Sequence, residues 1–184
     1  MRGYIKKNQF IDLLKDGMVI SVGGFLTNGT PEKLIDYIVE SNVKDLTIIC
    51  NDGGYEDKGV GKLIVNNQVK KLIASHIGTN PYVGKLMQEN HIEVELVPQG
   101  TLAERIRSFG AGLGGVLTPT GLDTIVEEGK RVIEVQGNKY LLEEPLSSDM
   151  ALIGGAINDK YGNLRYSQTM RNFNPVMATA AELV

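Results

Sequence analysis

Three short stretches of the sequence carry residues whose types and spacing could do chemistry. The first is Asp16 to Pro31, reading DGMVISVGGFLTNGTP. Met18 to Val22 suits a buried strand, and Gly23 to Gly29 a loop. Thr30, Pro31 and Glu32 suit a helix start, with a threonine able to cap, a proline at the first helical position and an acid in the first turn. Strand, glycine loop and helix in that order bring backbone N–H groups and the positive end of a helix to the mouth of an α/β sheet. An anionic or carbonyl ligand can sit there. Gly23, Gly24, Phe25, Leu26, Thr27, Asn28 and Gly29 are therefore candidate ligand contacts, and amides near Gly23 and Gly24 candidate donors to an oxyanion.

The second stretch is Asn51-Asp52-Gly53-Gly54, which leaves the carboxyl end of the apolar run Leu46 to Cys50. That end of a strand borders the ligand crevice of an open α/β sheet. By spacing alone Asn51 reads first as a turn former bonding its own backbone. The third is Pro98-Gln99-Gly100-Thr101, after the run Ile92 to Val97. A glutamine amide donates and accepts at once, which suits a thioester or amide arm. An exposed turn glutamine fits the same pattern.

Other residues bound the function by what they exclude. Cys50 is the single cysteine, so no internal disulfide or multi-cysteine zinc site can form, and a reducing, cytoplasmic setting is expected. At the end of an apolar run it reads as core rather than nucleophile. His76 and His91 are not spaced as a metal pair. A net charge of −3 argues against a nucleic-acid footprint. Lys6-Lys7 and Lys70-Lys71 are the basic pairs available to an anion, and each reads more simply as a solvated face. The uncharged stretch Ser108 to Leu122 is broken by glycines and Pro119, too short and interrupted to span a membrane. Within it, Gly110 to Gly121 lacks the Lys-Ser/Thr of a phosphate-binding loop and reads as a mobile or subunit-contacting segment.

The elements that must position these residues follow from periodicity. Asn8 can cap a short helix bearing Phe10, Leu13 and Leu14, and Pro31 to about Glu40 shows the apolar stripe Leu34, Ile35, Ile38 and Val39. Lys71 to Ser75 reads as a strand and Pro81 to Asn90 as a helix. Thr101 and Glu104 match a capping box at the start of the next helix. Arg131 to Gln136 and Lys139 to Glu143, split by Gly137-Asn138, suggest a hairpin. Met150 to Ile157 reads as a strand, Asp159 to Asn163 as a turn before Leu164 to Tyr166, and Pro175 to about Glu182 as a last helix. A chain of 184 residues, 42% hydrophobic, suits one domain with one core. The expected class is α/β: an open mixed, mainly parallel sheet with flanking helices and an antiparallel hairpin in the second half.

Asp16, Gly17, Gly23, Gly24, Phe25, Gly29 and Pro31 together resemble the signature of the family I (3-oxoacid) coenzyme A transferases. Ser21 departs from it, lying where apolar residues are usual. The resemblance continues in NDGGYEDKGVGKLI, IASHIGTNP, VPQGTLAERIR, GLGGVLTPTG and RNFNP, and is strongest to the α subunits of the acetate or butyrate:acetoacetate branch. It implies a fold of the CoA-transferase/sugar-phosphate isomerase type. It places Asn51 and Gln99 at the active site beside the Gly23 to Gly29 loop.

The resemblance also implies a division of labour. Family members move coenzyme A between a short acyl-CoA, such as acetoacetyl-CoA, and a carboxylate such as acetate or butyrate, through a glutamyl thioester. In two-chain members the glutamate belongs to the β subunit. No glutamate here lies in the Ser-Glu-x-Gly setting of the family; Glu127-Glu128-Gly129 and Glu143-Glu144-Pro145 come nearest and look like solvated ends. Expected, then, are no catalytic residue in this chain, no metal, and coenzyme A as substrate rather than resident cofactor. The expected assembly is α2β2 or larger, in the cytoplasm, without nucleic acid or membrane. Family members continue past Val184, so residues 1–184 are expected to be a single α-subunit domain lacking a C-terminal strand and tail. A sugar-phosphate isomerase of related fold and a non-catalytic nucleotide-binding module are the alternatives.

Overall fold

The computed structural model describes residues 4–184. In chain order these form α1 (Lys7–Ile11), β1 (Val19–Val22), α2 (Glu32–Ser41), β2 (Leu46–Cys50), α3 (Gly61–Val65), β3 (Val69–Ala74), α4 (Pro81–Gln88), β4 (Glu93–Leu96) and α5 (Gln99–Gly110). There follow β5 (Val116–Thr118), β6 (Val132–Val135), β7 (Asn138–Glu143), β8 (Ser148–Leu152), β9 (Ile157–Asn158), β10 (Leu164–Arg165), α6 (Asn174–Met177) and β11 (Ala181–Leu183). Six strands make the central sheet in the order β11-β8-β1-β2-β3-β4.

Every pairing in that sheet is parallel. The antiparallel pairing expected in the second half is present, but it lies in two separate small sheets, β5-β7-β6 and β9-β10. Parallel strands covered on both faces must be apolar on both, and the period of two shows which residue meets which layer. Ile20, Val22, Ile48, Cys50, Leu72 and Ala74 face a core completed by Ile35 and Ile38 of α2, Leu63 and Ile64 of α3, and Val83 of α4. Ile49 and Ile73 face the opposite core with Leu102 and Ile106 of α5 and Met177 of α6.

The strand order brings the candidate contacts to one edge of the sheet. β1 lies between β2 on one side and β8 on the other, so the chain's direction of travel across the sheet reverses at β1. A crevice opens outside the carboxyl ends of strands at such a switch point. The Gly23–Gly29 loop leaves β1 at that position, and Asn51 and Gln99 follow β2 and β4 at the same edge.

Several boundaries differ from the sequence reading, each for a local reason. Thr30 makes no side-chain cap on α2; its hydroxyl turns toward Gly24 instead. Asn8 lies inside α1, where the Gln9 side chain accepts from the Lys6 N–H at 2.8 Å. The Thr101–Glu104 box does not form, because α5 starts earlier: Pro98 adopts the flanking conformation and its carbonyl accepts from Leu102 N–H at 2.8 Å. The hairpin turn is Gln136-Gly137, both left-handed, with Asn138 already paired to Val135. β8 stops at Leu152, before Gly154 and Gly155. The last helix is only Asn174–Met177, and Ala181–Leu183 is a strand parallel to β8, where sheet pairing overrides the helical preference of Ala-Ala-Glu-Leu. Part of the Gly110–Gly121 stretch is not a loop, since Val116–Thr118 pairs with β7.

Candidate active site

The loop after β1 is held from three sides. Gly23 N–H donates to the Leu152 carbonyl at 2.9 Å, extending the β1–β8 pairing by one residue. That contact corrects one expectation: the Gly23 amide is spent on the sheet and is not an oxyanion donor. Gly24, Thr27 and Gly29 are the loop amides without a protein acceptor among the described residues. Gly24 sits at φ +127, and a Cβ there would lie 2.1 Å from Thr30 Oγ1, so both conformation and space require glycine. At Gly23 a Cβ would lie 1.9 Å from Asn174 Oδ1.

The loop tip is a closed four-residue turn. Phe25 N–H donates to Asn28 O at 3.1 Å, and Asn28 N–H to Phe25 O at 2.9 Å. Between them Leu26 and Thr27 are both left-handed, at φ 45 and 67, a conformation L-residues disfavour and which persists only where the surroundings impose it. Phe25 is 40% exposed, outside the core.

Asn51 and Gln99 meet. Gln99 Nε2 donates to Asn51 Oδ1 at 2.8 Å, joining the carboxyl ends of β2 and β4 across β3. Asn51 is 3% exposed. Its Nδ2 donates to Asp52 Oδ2 at 2.9 Å, and Ser75 Oγ donates to its backbone carbonyl at 2.8 Å. Asp52 Oδ2 also accepts from Leu26 N–H at 2.8 Å. A continuous run of hydrogen bonds thus connects the loop tip, Asp52, Asn51 and Gln99 along the sheet edge.

Sequence reasoning missed two members of this arrangement. Asp52 stands next to Asn51 in the sequence but reads there only as a turn former. Asn174, in the RNFNP motif, is fully buried: its Oδ1 accepts from Gly154 N–H at 2.8 Å, and its Nδ2 donates to Met170 O at 2.8 Å and Gly29 O at 3.1 Å. Asn172 adds a bond to Asn28 O at 2.9 Å. Two asparagines flanking a phenylalanine, next to a proline, are the signal that could have found them.

Several side chains are engaged elsewhere. Cys50 is buried, its thiol donates to Asp52 O at 3.0 Å, and burial together with the Asp52 charge pushes its pKa well above the ordinary value. It is core, as the sequence indicated. Lys71 is paired with Glu93 and Glu95, and Lys7 with Glu40. Glu143 is not a solvated strand end: it is 1% exposed and bound to Lys130 at 2.6 Å. Among the described residues no cluster of three potential metal ligands occurs, and no helix is long and apolar enough to cross a membrane. An apolar cavity of about 310 Å³ lies between α1, α2 and β8, and none of the candidate contacts lines it.

The family model described as coenzyme A transferase matches residues 7–184. The chain belongs to the coenzyme A transferase family. It is 61% identical over 170 residues to the acetoacetyl-CoA:acetate/butyrate CoA transferase alpha subunit of Clostridium acetobutylicum, covering 92% of this chain and 78% of that protein. It is 54% identical over 169 residues to the acetate CoA-transferase subunit alpha of Escherichia coli, covering 92% and 77%. The fold is shared with a variant of the decarboxylase AibA/AibB, at a TM-score of 0.84 and 17% identity, covering all of this chain and 74% of that one. A decarboxylase on this scaffold shows that the fold does not fix the reaction. For this coenzyme A transferase chain, family membership leaves the isomerase and regulatory-module readings without support.

Proposed function

We propose that this chain is the α subunit of a CoA-transferase that moves coenzyme A between acetoacetyl-CoA, or another short acyl-CoA, and acetate or butyrate. The observation that carries the reading is the Asn51–Gln99 pair beneath the left-handed loop tip, in a chain of this family so similar to named α subunits. The nucleophile is a glutamate of a β subunit. Its carboxylate attacks the thioester carbonyl and expels the CoA thiolate, leaving an acyl-glutamyl anhydride. The thiolate then attacks the glutamyl carbonyl, releasing the first acid and forming a glutamyl thioester. The incoming carboxylate reverses both steps, giving ping-pong kinetics.

This chain's part is to bind and to stabilise charge. Gly23 to Gly29 forms one wall against the thioester and its pantetheine arm, with Phe25, Leu26, Thr27 and Asn28 at the tip. The Gly24 amide faces developing oxyanion charge, and Gln99, held by Asn51, contacts the thioester or the arm. Loss of one oxyanion donor typically costs about 10²–10³ in rate. Coenzyme A is a substrate, not a resident group. The working assembly is α2β2 or larger, a symmetric arrangement usual for paired subunits, in the cytoplasm. Residues 1–184 act as one domain of that subunit.

The test is CoA exchange from acetoacetyl-CoA to acetate or butyrate, with this chain alone and with its β subunit. Exchange should need both chains. Gly24→Val, which forces a Cβ into Thr30, should cut turnover by about 10²-fold or more while leaving subunit association intact. Turnover by this chain alone overturns the division of labour, and undiminished turnover by the valine variant removes the loop from the mechanism.

A further inference from the structure

The glycine loop has a twin in the same chain. Gly-Gly-aromatic, three residues and glycine occur at Gly23-Gly24-Phe25 to Gly29 after β1, and again at Gly53-Gly54-Tyr55 to Gly59 after β2. Lys-Leu-Ile follows each, at Lys33–Ile35 and Lys62–Ile64. The second tip is closed by the same pair of bonds as the first, Tyr55 N–H to Lys58 O and Lys58 N–H to Tyr55 O, both at 3.1 Å. The two loops touch, since a Cβ on Gly59 would lie 3.3 Å from the Thr27 methyl.

The copies differ at their tips. Leu26 and Thr27 are left-handed, whereas their counterparts Glu56 and Asp57 are not. The second loop thus serves as an internal reference: a loop with this glycine-aromatic framework closes without left-handed side chains at its tip. Something particular to the first loop holds its tip in the disfavoured conformation.

Asn172 and Asn174 bond the carbonyls of Asn28 and Gly29 after the tip, and among the described residues the one side-chain hydrogen bond to the left-handed pair itself comes from the second loop. Asp52, at the root of the second repeat, is 6% exposed and places Oδ2 within 2.8 Å of Leu26 N and 2.9 Å of Asn51 Nδ2, while Oδ1 accepts from Gly54 N–H at 2.9 Å. The corresponding residue of the first repeat is Val22, which offers no such acceptor. A reciprocal brace runs the other way: Glu32, just after the first loop, accepts from Gly59 N–H of the second at 2.8 Å and pairs with Lys62 at 2.6 Å.

We propose that Asp52 is a positioning residue, whose carboxylate holds the left-handed turn at Leu26 and Thr27 and, through the same oxygen, the Asn51 amide that faces Gln99. The inference rests on the reading of the Gly23–Gly29 loop as substrate-facing. Both carboxylate oxygens are needed, because three N–H donors converge on them. An asparagine offers one acceptor and turns an NH2 group on the remaining donors.

The test is Asp52→Asn in the αβ complex, in the native background and in one carrying Leu26→Asn with Thr27→Gly. Asn-Gly is a pair that adopts a left-handed two-residue turn readily. With the native turn, Asp52→Asn should lower kcat/KM by about 10²-fold, the usual scale for a misplaced binding element. With the Asn-Gly turn the same substitution should cost about tenfold or less, because the turn no longer needs holding and only the Asn51 contact remains to be lost. Equal losses in the two backgrounds, or no loss in the first, overturn the inference. Amide hydrogen exchange gives an independent reading that does not need turnover: the bonded amides of Phe25, Leu26 and Asn28 should exchange faster in Asp52→Asn while those of Tyr55 and Lys58 do not. Unchanged exchange at Phe25, Leu26 and Asn28 overturns the inference as well. Gly24→Val keeps the two claims apart. If turnover survives it, the loop reading fails; if turnover is lost there while Asp52→Asn is neutral, only the role of Asp52 fails.

Discussion

Gln99 reaches Asn51 with a single donated hydrogen bond, and that bond is the direct tie between the two polar side chains proposed to meet substrate. Gln99 is itself exposed and Asn51 buried, so the pair has one end in the protein and one toward solvent. Replacing Gln99 by leucine keeps the bulk and removes the amide. Asn51 retains Ser75 and Asp52 as partners, so folding should be little affected. The expected outcome is a drop in kcat/KM of about tenfold or more, the equivalent of one hydrogen bond to a polar ligand, with an unchanged melting temperature. A melting temperature that falls in step with activity would assign Gln99 to structure alone.

Among the elements, the short α6 does more for the site than its length suggests. Asn174, at its start, fills the space that a side chain at Gly23 would need and bonds to both Gly154 and Gly29, so it ties the loops after β1 and β8 together. Asn174→Ala leaves the buried Gly154 N–H and the half-buried Gly29 and Met170 carbonyls without that partner. Stability should fall by about 2–4 kcal/mol, measured as a shift in urea midpoint, and the bonded loop amides, those of Gly23, Phe25, Leu26 and Asn28, should lose exchange protection first. A loss confined to the last strand would show that α6 braces the sheet edge and not the loop. The C-terminal segment is the least legible part of the sequence. Ala178 to Leu183 carries strong helix formers, and only the open flank of β8 makes Ala181–Leu183 a strand.

At the scale of the whole molecule, one charge network joins the central sheet, α5 and the antiparallel sheet. Glu95 of β4 is held by Arg105 of α5 at 2.9 Å and Lys71 of β3 at 3.0 Å, and Arg105 Nε lies 3.9 Å from Glu143 of β7. Burial alone would raise the Glu95 pKa, but the hydrogen bonds and charges of Arg105 and Lys71 outweigh it and hold the carboxyl below its ordinary range. A carboxylate depressed in the fold contributes stability above its unfolded pKa and loses it as pH falls through the folded one. Glu95→Gln should therefore lower the urea midpoint at neutral pH. The gap to the unsubstituted chain should narrow once pH drops below about 4.3, where unfolded glutamates protonate, and close below the folded value. A gap independent of pH would mean that the substitution acts through packing rather than charge.

The local pattern of the sequence determined what depends on neighbours a few residues away. The apolar runs, the Gly23–Gly29 loop between strand and helix, the buried Cys50 and the placement of Asn51 and Gln99 beyond strand ends all follow from period, turn chemistry and one family signature. The repeat at Gly53–Gly59 is legible too, as a plain recurrence of letters, but its meaning depends on the two loops touching. Tertiary structure alone decided which amides stay free, because Gly23 is spent on Leu152 only once β8 lies beside β1. It also decided that Asn174 closes on Gly29 and that Asp52 holds Leu26, contacts between residues far apart in sequence. Hydrogen bonds of that kind are set by the order of strands in the sheet, which no local spacing encodes.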